Sequence, residues 1–321
     1  MTEFEMIERY FVPLTMGQAG AAGLRDDGAV VDIPDGHQLV VTSDTLNADT
    51  HFLIDELPEN IARKALRVNL SDLASMGAKP LCYQLNLAFS EKPSDAWLSA
   101  FSNALQEDNE YYGVYCSGGD TTSIKGGYLS ISITAMGVVP KGRAVRRGGA
   151  KDGDLLIVTG EIGDAALGLK AIRAGRENDF PIAVSRYRVP EPKVMAFDAM
   201  QKYANAAADV SDGLLADMAN IAESSALGVE IDPSKVPISK DVQRALVENF
   251  ISWQEILSSG DDYELIMAIS KGVIDELQYE LQKNDIKSSV IGEFRSNILG
   301  VSILNTLTDR IDVKTFGWKH F

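Results

Sequence analysis

The chain has 321 residues, of which 45% are hydrophobic and 24% charged, and its formal net charge is −16. This length suits two domains better than one, and the composition is ordinary for a soluble globular protein. The acidic balance argues against nucleic-acid binding, which needs clustered Lys and Arg, and no apolar run approaches the roughly 18 residues of a membrane span.

The N-terminus and the cysteines bear on the cellular location. The first eight residues are acidic, whereas a secretory signal would be basic. Cys82 and Cys116 cannot form a disulfide framework, and both lie in apolar runs. We therefore expect a cytoplasmic protein with two reduced, buried thiols.

Helical and extended patterns alternate through the first half of the chain. The predicted elements are a short amphipathic helix over 3–16, a strand entered after Asp27, a strand over 38–44, a helix over 58–76, a strand over 81–88, a helix over 94–112 and a strand over 128–136. On the helix over 58–76, Asn69 and Asp72 are three residues apart and share a face. Leu70 and Leu73 flank Asp72, so its carboxylate is either partly desolvated and paired, or it faces solvent.

Two glycines and an aspartate follow an apolar run at Gly118, Gly119 and Asp120. Glycines allow the backbone to turn sharply and to approach a ligand closely, because no Cβ is present. This pattern predicts that Asp120 is presented at the end of a strand, in a position typical of binding sites. The alternative is a polar turn between two strands.

The second half begins near the basic, glycine-rich residues 143–154, and we place the domain boundary between 148 and 149. The predicted elements after it are a strand over 155–160, a helix over 164–174, a Pro-rich surface loop over 176–192, a helix through Ala226 and an acidic turn over 259–267 that enters a strand. Glycines before the helix over 164–174 suggest an anion seat at its N-terminus. Either Ser211 or Asp212 suits the N-cap of the helix through Ala226, but capping does not explain Asp209.

Aspartates recur at predicted strand ends and on the predicted core-facing helix, and the set is Asp27, Asp44, Asp72, Asp120, Asp209 and Asp212. Carboxylate oxygens without His or Cys ligands favour magnesium, which shares its coordination with phosphate oxygens. Metal ions would also allow this acidic chain to hold a polyphosphate, with further contacts from Arg143, Arg146, Arg147 and Lys151. The sequence contains no G-x-x-x-x-G-K-S/T loop, no well-placed G-x-G-x-x-G and no G-x-S-x-G elbow.

Seven segments together carry a resemblance to a known family. They are DDGA (26–29), TSDTL (42–46) with HF (51–52), VNLSDLASMGA (68–78), GGDTT (118–122), GRA (142–144) with GGA (148–150), DVSDGL (209–214) and GDDYEL (260–265). In this order the chain resembles the thiamine-monophosphate kinase family, within the superfamily of aminoimidazole ribonucleotide synthetase. The resemblance spans essentially the whole chain.

The resemblance implies ATP-dependent phosphorylation of thiamine monophosphate to thiamine diphosphate by a homodimer with several Mg²⁺ ions. It implies an α/β (α+β) fold of two domains, 1–148 for ATP and Mg²⁺ binding and dimerisation, and 149–321 completing the active site, with the N-terminal sheets of two copies pairing into a barrel. The implied metal ligands are Asp27, Thr42, Ser43, Asp44, Asp72, Asp120, Asp209 and Asp212. The implied nucleotide contacts are Tyr112, Gly119, Asp120, Arg147 and Ser211, and the implied substrate contacts are His51, Asp261 and Trp318.

One departure from the family pattern affects the paired aspartates. Arg25 stands where the family has glycine, and Gly28 follows instead of a small alkyl residue, so the roles of Asp26 and Asp27 stay open. Two alternatives to the kinase also remain, an ATP-dependent synthetase of the same superfamily and a non-catalytic nucleotide-binding dimer. His51 and the Trp318-bearing tail favour the kinase, whereas the shared aspartates do not discriminate.

Overall fold

The computed structural model describes residues 2–304 and Gly317. The chain forms two compact units, the first of Met1–Leu73 and Ala78–Gly142, and the second of Ala74–Gly77 and the chain from Arg143 onward. The boundary expected from the sequence, between 148 and 149, falls a few residues after Arg143. Among the described residues, no helix is both long enough and apolar enough to cross a membrane.

The first unit contains a four-stranded sheet in the order β1-β4-β2-β3. Its elements are α1 (Glu3–Met6), β1 (His37–Asn47), α2 (Pro58–Ser75), β2 (Lys79–Phe89), α3 (Asp95–Tyr112), β3 (Tyr115–Ser123) and β4 (Ser130–Pro140). β4 is antiparallel to both of its neighbours, and β2 and β3 are parallel. Short π- and 3₁₀-helical turns occupy most of residues 7–24.

Local sequence explains the two long helices of the first unit. Pro58 is the first residue of α2, a position where its missing N–H costs nothing. The Ser94 hydroxyl accepts a hydrogen bond from the Trp97 N–H at the start of α3, and Gly113 ends this helix in the left-handed conformation. The predicted helices over 58–76 and 94–112 are thus confirmed to within one residue at each end.

Two predictions for the first unit are wrong in detail. No strand follows Asp27, because residues 25–36 are irregular and the first strand begins only at His37. Asp120 does not lie at the end of a strand, since β3 continues through it to Ser123. The two glycines before Asp120 are therefore part of an extended strand and do not form a turn.

The second unit contains a six-stranded sheet in the order β10-β7-β9-β5-β8-β6. Its strands are β5 (Leu155–Thr159), β6 (Ala204–Asp209), β7 (Gly228–Ile231), β8 (Leu265–Ile269), β9 (Ser288–Arg295) and β10 (Val301–Ile303). Its helices are α4 (Asp164–Arg173), α5 (Pro181–Arg188), α6 (Phe197–Tyr203), α7 (Leu214–Ser224), α8 (Lys240–Val247), α9 (Trp253–Ser258) and α10 (Ile274–Gln282). Two groups of buried apolar side chains, each including residues of the central strand β5, form its core.

The prediction of a surface loop over the Pro-rich residues 176–192 is wrong, because they contain α5. Pro181 is the first residue of that helix, where proline is favourable. The Asp241 carboxylate accepts hydrogen bonds from the backbone N–H groups of Ile182 and Ala183, at 2.8 and 3.3 Å, and so caps α5 from a distant part of the chain. A cap that is this remote in sequence gives no local signal.

Candidate active site

A cavity of about 260 Å³ lies in the first unit, between the N-terminal turns and strands β2 and β3. Asp26, Asp27, Gly118, Gly119 and Asp120 all line it. Three of the predicted site residues, Asp27, Gly119 and Asp120, are therefore brought to one cavity from two distant segments. Because Asp26 lines the same cavity, the geometry does not separate its role from that of Asp27.

Gly119 is required by close packing between β3 and β2. Its φ is +153°, and a Cβ on it would lie 1.8 Å from the carbonyl oxygen of Leu85. Gly118 is different, since a Cβ there would meet nothing nearer than the Gln84 side chain at 3.9 Å. Gly119 thus lets the strand that carries Asp120 run flush against its neighbour.

Cys116 also lines the cavity, and its chemistry can be assessed. Burial raises the pKa of its thiol to about 12, so the thiol stays protonated at neutral pH. A reactive cysteine needs a lowered pKa and access to solvent. Cys116 is therefore a buried structural thiol, as the sequence predicts, and Cys82 is buried as well.

On β1, alternate residues face opposite sides of the sheet. Thr42 and Asp44 are on the side of α2: the Thr42 hydroxyl donates a hydrogen bond to the Asp72 carboxylate at 2.5 Å, and the Asp44 N–H donates to the Asn69 side-chain oxygen at 3.1 Å. This confirms that Asn69 and Asp72 share a face of their helix. Asp72 is half-buried and paired, which is the first of the two alternatives left open by the sequence.

The predicted metal ligands of the first unit are divided between the two faces of the sheet. Ser43 lies on the face opposite Asp44, with its hydroxyl 3.0 Å from that of Thr134. Strand register aligns Asp120 with Asn86, and Asn86 with Ser132 on the face of Ser43. Within this unit, Asp44 and Asp120 consequently belong to opposite faces and are not neighbours.

His51 and Tyr112 also lie in the first unit. The Nδ1 atom of His51 accepts a hydrogen bond from the backbone N–H of Asn47 at 3.0 Å, so a neutral His51 carries its proton on Nε2. This tautomer makes His51 a hydrogen-bond donor. The Arg67 guanidinium lies 5.5 Å from the centre of the Tyr112 ring and also pairs with the buried Asp108.

In the second unit, β6 ends at the buried Asp209, and residues 211–213 form the turn that leads into α7. Neither Ser211 nor Asp212 caps this helix, so that prediction is wrong: the N-cap residue is Gly213, which has no side chain. One oxygen of Asp217 instead accepts hydrogen bonds from the backbone N–H groups of Ser211, Asp212 and Gly213, at 3.1, 3.0 and 3.1 Å.

Asp217 is fully buried, and the sequence analysis missed it. Burial raises the pKa of its carboxyl to about 7, and the nearby charge of Asp212 adds to this rise, whereas the backbone N–H donors and Arg147 oppose it. The one sequence signal available was an aspartate in the first turn of an otherwise apolar helix.

Arg147 belongs to a segment that is attached to the far end of α7. The Ser225 hydroxyl oxygen accepts hydrogen bonds from the N–H groups of Gly149 and Ala150, both at 3.1 Å. A Cβ on Gly148 would lie 2.7 Å from the carbonyl oxygen of Ser224, so this segment packs tightly on the helix end. Ser225 is a second residue that the sequence analysis did not identify.

Asp261 lies in a strained loop next to the turn before α7. Both Asp261 and Tyr263 have positive φ, at 72° and 51°, and the Tyr263 hydroxyl donates to the Asp261 carboxylate at 3.2 Å. The Asp261 N–H donates to the carbonyl oxygen of Ser211 at 3.0 Å. A Cβ on Gly260 would lie 2.0 Å from that same oxygen, so only glycine fits there.

The predicted anion seat at the start of α4 is occupied by the protein itself. Asp262 accepts hydrogen bonds from the N–H groups of Gly163 and Ala165, at 2.9 and 3.2 Å. Withdrawal from water raises the pKa of Asp262 well above its ordinary value, although these N–H donors oppose the shift. These N–H groups at the start of α4 therefore bind the Asp262 carboxylate and are not free to bind a phosphate.

Trp318 lies outside the described residues. Gly317, just before it, is described, and a Cβ on Gly317 would lie 2.7 Å from the Cβ of Ala216 and 3.8 Å from the carbonyl oxygen of Asp212. The chain thus passes the turn before α7 at Gly317.

The donor chemistry of these residues fits magnesium. Carboxylate and hydroxyl oxygens dominate, and residues 2–304 with Gly317 contain no group of three or more His, Cys, Asp or Glu side chains arranged to hold a metal ion. Zinc in proteins commonly requires such a cluster, whereas Mg²⁺ keeps several waters and takes one or two carboxylates plus substrate phosphates.

Matches to protein families show the class of protein to which the chain belongs. Residues 25–139 match the family described as AIR synthase related protein, N-terminal domain, and residues 151–298 match AIR synthase related protein, C-terminal domain. The paired domains and the two sheets described above are those of an AIR synthase-related protein.

Similarity to individual proteins identifies the family within this class. The thiamine-monophosphate kinase of Caulobacter vibrioides is 40% identical over 326 aligned residues, which cover 99% of this chain and 91% of the relative. The crystal structure of thiamine-monophosphate kinase from Stenotrophomonas maltophilia K279a superposes with a TM-score of 0.85 at 35% identity, covering 94% of this chain and 96% of the other. AaThiL complexed with AMPPCP and TMP gives 0.80 at 28% identity, with coverage of 92% and 91%. The chain belongs to the thiamine-monophosphate kinase family.

Proposed function

We propose that this chain transfers the γ-phosphoryl group of ATP to thiamine monophosphate, giving thiamine diphosphate and ADP, the final step of thiamine diphosphate biosynthesis. Whole-chain similarity to thiamine-monophosphate kinases carries this proposal. One structural relative, AaThiL, is complexed with AMPPCP and TMP, and these two ligands correspond to the two proposed reactants. The cavity lined by Asp27, Gly119 and Asp120 supports a role for these residues in nucleotide binding.

Several Mg²⁺ ions are held, in this proposal, by the acids of the two units. Asp27, Thr42, Ser43, Asp44, Asp72 and Asp120 are the ligands of the first unit, and Asp209 and Asp212 those of the second. The bound ions neutralise the charge of the phosphates. The division of the first set between two sheet faces indicates that Asp44 and Asp120 of one chain serve different ions.

The remaining residues bind the two reactants. Tyr112, Gly119, Asp120, Arg147 and Ser211 contact the nucleotide, and His51, Asp261 and Trp318 contact thiamine monophosphate. His51 suits contact with an anionic phosphate because its tautomer presents an N–H donor. The backbone carbonyl of Arg147 accepts a hydrogen bond from the Ser225 hydroxyl at the end of α7. The guanidinium of the same residue is suited to bind a phosphate of ATP.

The reaction needs no general base. The acceptor is a phosphate monoester whose second pKa is about 6, so it is mostly ionised at neutral pH. Catalysis then depends on charge neutralisation and in-line alignment, which are the main contributions of phosphoryl-transfer sites. We therefore propose direct transfer without a phosphoenzyme, in agreement with the high pKa of the Cys116 thiol in the cavity.

A homodimer is the proposed assembly, with the N-terminal sheets of two copies forming a barrel. Leu39 and Val41, on the face of β1 away from α2, are 36% and 55% exposed. β1 and β3 are also the edge strands of their sheet, and edge strands favour pairing with another chain unless they are covered. Light scattering after gel filtration tests this: a mass of about twice 34.8 kDa is expected, and the monomer mass would contradict it.

Two assays test the chemistry. Incubation with ATP, Mg²⁺ and thiamine monophosphate should yield thiamine diphosphate, and the absence of this product would refute the proposed function. With ATP that is chiral at the γ-phosphorus, direct transfer inverts the configuration at phosphorus, whereas a phosphoenzyme retains it.

The proposed location of the reaction is the cytoplasm, where ATP is available, and two buried free cysteines agree with this location.

A further inference from the structure

The turn before α7 is held by a side chain that lies four residues beyond it. One carboxylate oxygen of Asp217, Oδ2, receives the backbone N–H groups of three successive residues, Ser211, Asp212 and Gly213. In return, the Asp217 N–H donates to the carbonyl oxygen of Gly213 at 3.0 Å. Because all three N–H groups must point at the same oxygen, these hydrogen bonds restrict the backbone of the turn to one conformation.

This arrangement is distinct from a helix cap, because the three N–H groups that donate to Asp217 precede Leu214, the first residue of α7. The first N–H groups of a helix lack partners inside it, and a Ser, Thr, Asp or Asn at the N-cap normally supplies an acceptor. Here the N-cap is Gly213, which cannot do so. Ser211 and Asp212 precede it, yet neither side chain is used for capping, so both remain available for another purpose.

We propose that Asp217 is a positioning residue, whose oxygen fixes the backbone of Ser211–Gly213 and thereby aims the Ser211 and Asp212 side chains at the nucleotide and its metal ion. The inference rests on the proposed function for what these side chains contact. Asp217 itself touches neither reactant, because it is 0% exposed beneath the turn.

Three substitutions separate acceptor geometry from charge. Asp217→Asn removes the charge but keeps an acceptor oxygen at the same distance from the backbone. Asp217→Glu keeps the charge but displaces the oxygen by one methylene group, and Asp217→Ala removes the acceptor. A matched control is Asp241→Ala, which removes another buried carboxylate of the second unit that accepts two backbone N–H groups, at the start of α5.

Two readouts are needed on each full-length variant, after thermal unfolding has shown that it is folded. The first is the Kd for ATP with Mg²⁺ by calorimetry. We expect Glu and Ala at position 217 to weaken binding about 10- to 100-fold, the range seen for residues that orient ligands, while Asn and the Asp241→Ala control stay close to the parental value. The second is amide hydrogen exchange of residues 211–213, which Glu and Ala should accelerate on the order of tenfold.

The outcomes distinguish the possible errors. Unchanged ATP binding in Asp217→Glu, or an Asn variant as impaired as the Glu variant, would overturn the positioning role. If Asp217→Ala does not fold, the comparison of Glu with Asn decides. If the parental protein bound no ATP with Mg²⁺, the proposed function would fail, and exchange at residues 211–213 would still show whether Asp217 holds the turn.

Discussion

The two units hold their candidate acids by different means. In the first unit, Asp27 and Asp120 are exposed at a cavity, and the position of Asp120 follows from strand register and from the close approach at Gly119. In the second, Asp209 is buried, and the neighbouring turn is held by backbone N–H groups that donate to Asp217. Strand packing fixes the first site, whereas hydrogen bonds to a buried carboxylate fix the second.

The difference has an energetic consequence. Exposed carboxylates keep their hydration until a metal ion or ligand replaces it, so the first unit bears little cost when empty. Buried carboxylates need hydrogen-bond or ion-pair partners within the fold. Where these partners are too few, burial raises the pKa of the carboxyl group. Substitutions of the exposed carboxylates in the first unit should therefore act mainly on binding and turnover, while substitutions of buried carboxylates in the second should also act on stability and its pH dependence.

The largest effect is expected for Gly119→Ala. Its Cβ would meet the Leu85 carbonyl oxygen at 1.8 Å, so β3 must move, and displacing Asp120 by about 1 Å can cost on the order of 100-fold in turnover. Stability should fall by about 1–3 kcal/mol. Gly118→Ala, one residue away and without a clash, is the control in both kinetic and urea-unfolding assays. Similar behaviour of the two variants would show that strand packing does not position Asp120.

Removal of a carboxylate in the first unit should come next. Asp72→Asn and Asp120→Asn should each lower kcat by more than about 100-fold, because each would lose a proposed magnesium ligand, while thermal unfolding stays near the parental midpoint. Asp35→Asn, an exposed acid of the same unit, serves as the control. Near-normal turnover in both site variants would contradict the metal assignment.

The pH dependence of stability should distinguish the second unit. The folded-state pKa of Asp262 is raised above its unfolded value, so its contribution is fully present below pH ~4 and is lost as the pH rises through the folded-state pKa. Asp262→Asn removes this titration. Thermal midpoints measured from pH 4 upward should therefore fall less steeply in the variant than in the parental protein. Parallel curves would show that burial does not perturb this carboxyl.

The smallest effect is expected for Ser225→Ala. The Arg147 segment loses the acceptor for two backbone N–H groups, which is worth about 1 kcal/mol and should raise the KM for ATP about fivefold with kcat unchanged. Ser234→Ala changes an exposed serine of the same unit and is the control. A change in kcat alone would argue against an attachment role for Ser225.

Features encoded by local sequence could be predicted. Helical spacing indicated α2, and the three-residue offset of Asn69 and Asp72 correctly put both on one face of it. The structure adds that this face contacts β1. Family motifs named the Asp27, Gly119 and Asp120 positions that line the cavity. In each case the signal lies within a few residues, where periodicity or an unusual residue type is visible.

Features that depend on remote partners could not be predicted. The path of β3 through Gly119 depends on Leu85, and the capping of α5 depends on Asp241. The seat before α4 is filled by Asp262, about a hundred residues later in the chain. Asp217 was missed for a related reason. The importance of a buried acid in a mostly apolar helix becomes clear only when the backbone N–H groups that donate to it are known.

In the proposed function, the candidate acids hold the magnesium ions that accompany ATP. A crystal structure of the protein with a nonhydrolysable ATP analogue, Mg²⁺ and thiamine monophosphate would show the ligands of these ions. We predict metal ions in contact with Asp27 or Asp120 and with Asp209 or Asp212, and with phosphate oxygens of the nucleotide. A nucleotide bound with its magnesium away from all four of these carboxylates would show that they are not the metal ligands.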